Sequence, residues 1–289
     1  MKNTPELWRE KIPQPGPEDH KYARGMVTLL GGMDMTGATR LASEAAARSG
    51  AGLVTIISPT FNYRKRPEGV DPTLVYRAGA PHIIVSDNTS LLDFMKQSES
   101  KGNNVCVIGP GLGLDEPNIT RTLVLSILAR KTPAVLDADA LTAFQGNPKE
   151  LLDALHEQSV ITPHQGEFTR LFPGIGTKGS DAATRAAREI FGTIVLKGYK
   201  TAIAKGENSP VTNENAPPHL ATAGTGDVLT GLISGLMAQG MNGFDAACAA
   251  VWIHGRAASL FGPGLVASDL PDLVPQVMQE LLGFTNQLG

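Results

Sequence analysis

Residues 27–58 read VTLLGGMDMTGATRLASEAAARSGAGLVTIIS, and this stretch decides the fold. VTLLG (27–31) and LVTIIS (53–58) are short, apolar, rich in β-branched residues and bounded by Gly or Ser, as strands buried on both faces are. Between them TGATRLASEAAARS (36–49) is Ala-rich and stops at Gly50, which suits a helix and its C-terminal stop. Strand, helix and strand in that order form a crossover unit.

The same alternation continues outward. Further strand-like runs are HIIVS (82–86), NVCVIG (104–109), AVLDA (134–138), SVIT (159–162) and TIVLK (193–197). Helical patterns cover 116–130, 140–157 and 243–260. Val228, Leu229, Leu232, Ile233, Leu236 and Met237 form one apolar face of another helix that ends at Gly240. Alternation of this kind predicts an α/β fold with a largely parallel central sheet and helices on both faces. In TIVLKGYKTAIAKG (193–206), two apolar segments flank Gly198, Tyr199 and Lys200, so a hairpin at one sheet edge is expected. No linker, repeat or low-complexity tract interrupts the 289 residues, which predicts one domain over 1–289. Residues 1–20 are polar and Pro-rich, and are expected to form an irregular arm with Trp8 as its anchor.

Composition excludes several classes. A net charge of −3 and no basic block argue against nucleic acid, and Arg64, Lys65 and Arg66 together are too few to reverse that. No stretch of ~18 apolar residues predicts a membrane span. The N-terminus has no apolar core of a signal peptide. Cys106 and Cys248 both sit in apolar runs, which suits core side chains in a reducing, cytoplasmic compartment.

In open α/β sheets ligands bind at the carboxyl ends of the strands. The unusual residues fall there: GGMDMTGA (31–38), GPGLG (109–113), Asp137 and Asp139, TPHQGE (162–167), and Lys197 with Gly198. The strongest motif is AGTGD (223–227), placed just before the apolar-striped helix. Gly224, Thr225 and Gly226 would bring unpaired amides and the helix's partial positive charge to an anion. Asp227 would point into that hole from the first turn. A helix-start carboxylate after a tight turn would give the same letters. GxxxxGK[ST] is absent, and Leu114 stands where GxGxxG needs its last glycine.

His164 follows Pro163 at a strand end and should face the crevice. Glu167, one turn on, could hold Mg²⁺ through water, or could simply cap the helix. Asp137 and Asp139 alternate, so one acid should face the crevice and the other cap the next helix. His254 is read as packed, and His20, His82, His156 and His219 carry no signal.

The chain resembles the ADP-dependent NAD(P)H-hydrate dehydratases of the ribokinase-like fold. The motifs that carry this are the segment beginning GGMDMTGATRLASEAAARSG, then GPGLG, VLDADAL, TPHQGEFTRLF, VLKGYKTAI and ATAGTGDVLTGLISGLMAQG, over about residues 20–260. The resemblance implies a carbon–oxygen lyase for nicotinamide nucleotide repair. Water has added to a ring double bond of NADH or NADPH. The hydroxyl of the (S) hydrate is phosphorylated from ADP, and phosphate then leaves to restore NAD(P)H. It implies Asp227 as the catalytic base. Ala38, Gly111, His164 and Asp227 would contact the hydrate. Gly226 and Lys197, Gly198, Tyr199, Lys200 and Thr201 would contact ADP or AMP. Glu167 matches a Mg²⁺-linked glutamate. A carboxylate near pKa ~4 is a weak base for an alcohol, so positioning would have to carry the step. A small-molecule alcohol kinase acting on a thiazole or hydroxymethylpyrimidine is the alternative.

The sequence departs from the family at NAPPHLATAGTGD (215–227). Ala223 replaces a glycine, and Pro217, Pro218 and His219 replace Pro-Gly-Met. Ala223 should therefore keep a negative φ. The chain has no epimerase segment, so a separate NAD(P)H-hydrate epimerase is the expected partner. A homo-oligomer such as a tetramer is also expected, with the Ala-rich helices as close-packing faces.

Overall fold

The computed structural model describes residues 1–33, 35–62, 71–176 and 179–283. Asp34 of the first crevice loop and the Arg64, Lys65, Arg66 patch lie outside them. Nine strands form one sheet: β1 (Met26–Leu30), β2 (Leu53–Ile57), β3 (Ile84–Ser86), β4 (Asn104–Ile108), β5 (Ala134–Leu136), β6 (Ser159–Ile161), β7 (Thr193–Leu196), β8 (Thr201–Lys205) and β9 (Val211–Asn213). Their order is β3-β2-β1-β4-β5-β6-β7-β8-β9. The first seven strands run parallel, and β8 and β9 are antiparallel additions. The predicted hairpin is β7–β8, but it is not the edge, because β9 pairs outside it. The direction of winding reverses between β1 and β4, which opens a crevice at their carboxyl ends.

Twelve helices surround the sheet: α1 (Thr36–Arg48), α2 (Pro59–Asn62), α3 (Pro72–Arg77), α4 (Leu91–Ser98), α5 (Pro117–Ala129), α6 (Asp139–Thr142), α7 (Pro148–Ala154), α8 (Gln165–Leu171), α9 (Gly179–Ala187), α10 (Thr225–Ala238), α11 (Gly243–Phe261) and α12 (Leu270–Leu282), counting the described residues. The helix expected over 140–157 is two pieces. Asn147 leaves the helical region and Pro148 starts a new helix at the position where proline's missing N–H costs nothing.

Strand residues alternate between two cores. Val105 and Val107 join the core under α1, α10, α11 and α12, whereas Cys106 and Ile108 join the one under α4 to α9. Burial on both faces is why the strands are continuously apolar. Both cysteines are buried and free.

The contact of α1 with α10 sets up the site. A Cβ on Gly231 would stand 2.1 Å from Ala42 O, so only glycine lets the helices approach this closely. Ala42, Ala45 and Ala46 are spent on this contact, and α11 buries Ala246, Ala247, Ala249 and Ala250 in the same core. The Ala-rich faces expected to serve assembly therefore pack within the chain.

The N-terminal arm packs against the sheet edge through Trp8 and Asn3. Trp8 is 1% exposed, donates to Asn3 Oδ1 at 3.0 Å and tilts against Trp252. Asn3 N–H bonds Thr212 O, which fastens the arm beside β9. Among the described residues no helix is long and apolar enough to cross a membrane.

Candidate active site

The segment expected to form an anion hole lies at the start of α10. Gly224 precedes the helix with φ 89°, and a Cβ there would lie 2.7 Å from Leu41 Cδ1 and 2.9 Å from Ala267 Cβ. No side chain caps this end, so the amides of Thr225, Gly226 and Asp227 stay open to a ligand. Thr225 Oγ1 donates to Leu220 O and Thr222 O, both at 3.0 Å, which holds the approaching loop in shape. Lys131 and Ala138 are the non-glycine residues at positive φ among those described, so Ala223 takes the negative φ expected of it.

A charge network lies across from the hole. Lys197 Nζ sits 2.7 Å from Asp137 Oδ1 and 3.4 Å from where a Gly226 Cβ would stand. Thr230 Oγ1, one helical turn beyond Asp227, donates to Asp137 Oδ2 at 2.8 Å. Burial lowers the Lys197 pKa, but Asp137, Glu167 and Asp227 together outweigh it and hold the ammonium above its ordinary value. Burial raises Asp227 to about 7; the Asp137 charge adds to this, Lys197 opposes it, and Asp139 adds further. A carboxyl raised this far is matched to accepting a proton near neutral pH, unlike the ordinary carboxylate expected at this position.

Asp137 and Asp139 do not divide their roles as expected. The strand stops at Leu136, and Ala138 turns at φ 47°, which breaks the alternation. Asp137 holds Lys197. Asp139 caps nothing; it accepts from Gly113 N at 2.9 Å, tying the loop after β4 to the one after β5.

Ala38 and Gly111 come together: a Cβ on Gly111 would lie 3.1 Å from that of Ala38. A buried network fixes both loops. Tyr76 OH donates to Gly32 O at 2.7 Å, and Thr39 Oγ1 donates to Pro110 O at 3.0 Å.

His164 and Glu167 form a capping box. His164 Nδ1 accepts from Gly166 N and Glu167 N, and Glu167 Oε2 accepts from His164 N at 2.7 Å. One Glu167 oxygen is therefore committed to the helix start, while Oε1 lies 3.5 Å from His164 Nε2. Burial raises the Glu167 pKa, against Lys197 and the His164 backbone bond. Among the described residues no group of three His, Cys, Asp or Glu side chains could hold a metal by itself.

A cleft of about 530 Å³ opens beside the hole. His164, Lys197, Gly198, Tyr199, Thr201, Thr225 and Gly226 line it. Lys200 does not; it turns outward to Glu214 Oε1 at 2.6 Å. Its lining also holds the apolar Pro217, Pro218, Leu220, Leu229 and Val251, together with His254. The sequence flagged the two prolines as departures but gave no signal that Leu229, Val251 and His254 would meet them.

The family model described as NAD(P)H-hydrate dehydratase matches residues 26–279. The ADP-dependent (S)-NAD(P)H-hydrate dehydratase of Neisseria meningitidis is 35% identical over 270 residues, covering 88% of this chain and 84% of that one. The chain spans about half the length of the bifunctional NAD(P)H-hydrate repair enzymes it also matches. The ADP/ATP-dependent NAD(P)H-hydrate dehydratase of Bacillus subtilis, co-crystallised with ATP and Mg²⁺, superposes with TM-score 0.76 at 27% identity, covering 97% of this chain and 98% of that one. A ribokinase-like superfamily protein of Enterococcus faecalis gives TM-score 0.78 at 26% identity, covering 96% and 95%. The fold is ribokinase-like, and the chain belongs to the NAD(P)H-hydrate dehydratase family.

Proposed function

We propose that the chain dehydrates the (S) hydrates of NADH and NADPH at the expense of ADP, releasing AMP and phosphate. The observation that carries this is Asp227, a carboxylate in the first turn of an uncapped helix whose pKa burial raises to about 7 and which feels the charge of the Lys197 ammonium. The names borne by the Neisseria and Bacillus relatives support the same substrate and nucleotide.

Asp227 takes the proton of the hydrate hydroxyl as its oxygen attacks the terminal phosphorus of ADP. The bridging P–O bond breaks and AMP leaves. The amides at 225–227 stabilise the transferring phosphoryl group, an effect of about 3–4 kcal/mol per donor where one has been removed. Lys197 offsets the charge on its oxygens, held in place by Asp137 and Thr230. The C–O bond then breaks, phosphate departs with the electron pair, and a ring proton is lost to restore the double bond. Ala38 and Gly111, which adjoin each other, and His164, which lines the cleft, would contact the hydrate. Gly226, Lys197, Gly198, Tyr199 and Thr201 border that for the nucleotide.

Mg²⁺ fits this donor set in a limited way. Glu167 is 5% exposed and has one carboxylate oxygen outside the capping box, so it would hold the ion through that oxygen or a water, leaving the remaining positions to phosphates and solvent. The ion would supply charge neutralisation at the phosphates.

A crystal structure with bound ADP tests the reading. The terminal phosphate is expected against the amides at 224–227, within reach of Lys197 Nζ. A phosphate bound elsewhere on the rim would contradict it.

A further inference from the structure

The cleft wall contains a buried polar atom that nothing in the chain satisfies. His254, on α11, is 8% exposed and lines the cleft with Thr225, Leu229 and Val251. Its Nε2 is buried and has no hydrogen-bond partner. The polar groups around it are already engaged. Thr225 Oγ1 is held by two carbonyls, and Thr201 Oγ1 by Gly198 O. Asn213 is fixed from both sides, its Oδ1 accepting from Asn3 and its Nδ2 donating to Asn215. Lys197 is bound to Asp137.

The chemistry of that nitrogen follows from its surroundings. Burial pushes the His254 pKa down to about 4, a backbone hydrogen bond with Thr225 opposes this, and the Lys197 charge adds to it. The ring is therefore neutral at pH 7, with one N–H and one bare lone pair. A backbone group that raises the pKa of a base is a carbonyl receiving its proton. The N–H is thus spent on Thr225, which leaves Nε2 as the acceptor. Native structures seldom leave a buried acceptor unmet.

We propose that His254 Nε2 accepts a hydrogen bond from the nucleoside half of the bound nucleotide and so helps to select it. The proposal rests on the nucleotide reading of the cleft. A bare acceptor repels phosphate oxygens, and His254 shares the cleft lining with the apolar side chains of Pro218, Leu229 and Val251, which suit a nucleoside better than a phosphate. The nucleoside offers two kinds of donor there, the ribose hydroxyls and the exocyclic amine of adenine. Either would complete the same hydrogen bond.

Calorimetric binding of ADP, 2′-deoxy-ADP, 3′-deoxy-ADP and IDP to the full chain, with and without His254→Leu and His254→Gln, separates these donors. The analogue lacking the relevant donor should bind the unaltered protein about 3- to 10-fold more weakly than ADP. That difference should vanish in His254→Leu and return, at least in part, in His254→Gln, whose amide oxygen can accept. A difference that persists in His254→Leu overturns the proposal. So does normal ADP binding with no analogue penalty in the unaltered protein, whether or not the variants fold; that result leaves the cleft's nucleotide role standing. Failure of the unaltered protein to bind ADP at all removes both.

Discussion

Lys197 Nζ stands 2.7 Å from Asp137 Oδ1 and lies beside Gly226, in the helix start that carries Asp227. Lys197→Met would leave the Asp137 carboxylate, whose side chain is 2% exposed, without its counter-charge. Breaking such a pair should cost about 3 kcal/mol, read from urea unfolding. Lys197 also opposes the raised pKa of Asp227. The acid limb of kcat/KM, expected near pH 7 in the unaltered protein, should therefore move to higher pH in this variant. An unmoved limb would mean that the two groups do not communicate.

Asp227→Asn should lower turnover by about 100-fold or more while ADP still binds. It should also change stability with a particular sign. Between the ordinary pKa of 3.8 and the folded value of about 7, the native state holds more protons than the unfolded one. Stability of the unaltered protein therefore falls as pH rises through that window and levels off above it. The variant lacks this loss. It should be more stable above pH 7, by about 2 kcal/mol since water in the open cleft shares the charge, and equal below pH 4. Thermal melts across that range measure the difference.

Neighbouring positions before α10 should respond oppositely to substitution. Gly224→Ala forces a side chain into φ 89° and against Leu41 and Ala267, so it should cost about 2 kcal/mol and raise the KM for ADP. Ala223→Gly changes a residue already at negative φ and keeps its amide, so the KM should shift by less than about twofold. Steady-state kinetics on the two variants check this. A large shift with Ala223→Gly would show that the family's usual glycine tunes nucleotide use.

Tyr76→Phe removes a buried hydroxyl that holds Gly32 O and touches Thr39 Oγ1. Those bonds brace the Gly32 loop and Thr39, next to Ala38 at the start of α1, and through Thr39 the loop bearing Gly111. KM for the hydrate should rise several-fold, on the order of the 1 kcal/mol a lost hydrogen bond carries, with the KM for ADP little changed. Equal rises in both would place the loops' role elsewhere.

Much of this was legible in the sequence because the parallel strands are buried on both faces. VTLLG and NVCVIG are unbroken apolar runs for that reason, and the loops behind them gather at one rim by topology alone. The exceptions have local causes. The break at Asn147 and Pro148 interrupts an otherwise helical pattern, and β9 has three residues, too few to show a period. Ala138 takes a positive φ that its letter does not announce, so the two aspartates could not be assigned by alternation. The Asp137–Lys197 pair spans 60 positions, and the wall formed by Pro218, Leu229, Val251 and His254 joins three separate segments. Their meeting, and the burial that raises Asp227, are tertiary facts.

The most direct test mixes the protein with ADP, Mg²⁺ and hydrated NADH and follows the reduced-nicotinamide absorbance together with AMP and phosphate. Absorbance should return with one AMP and one phosphate per NADH restored, and Asp227→Asn should abolish the return. A stable phosphorylated product with no recovery, or full recovery in Asp227→Asn, would contradict it.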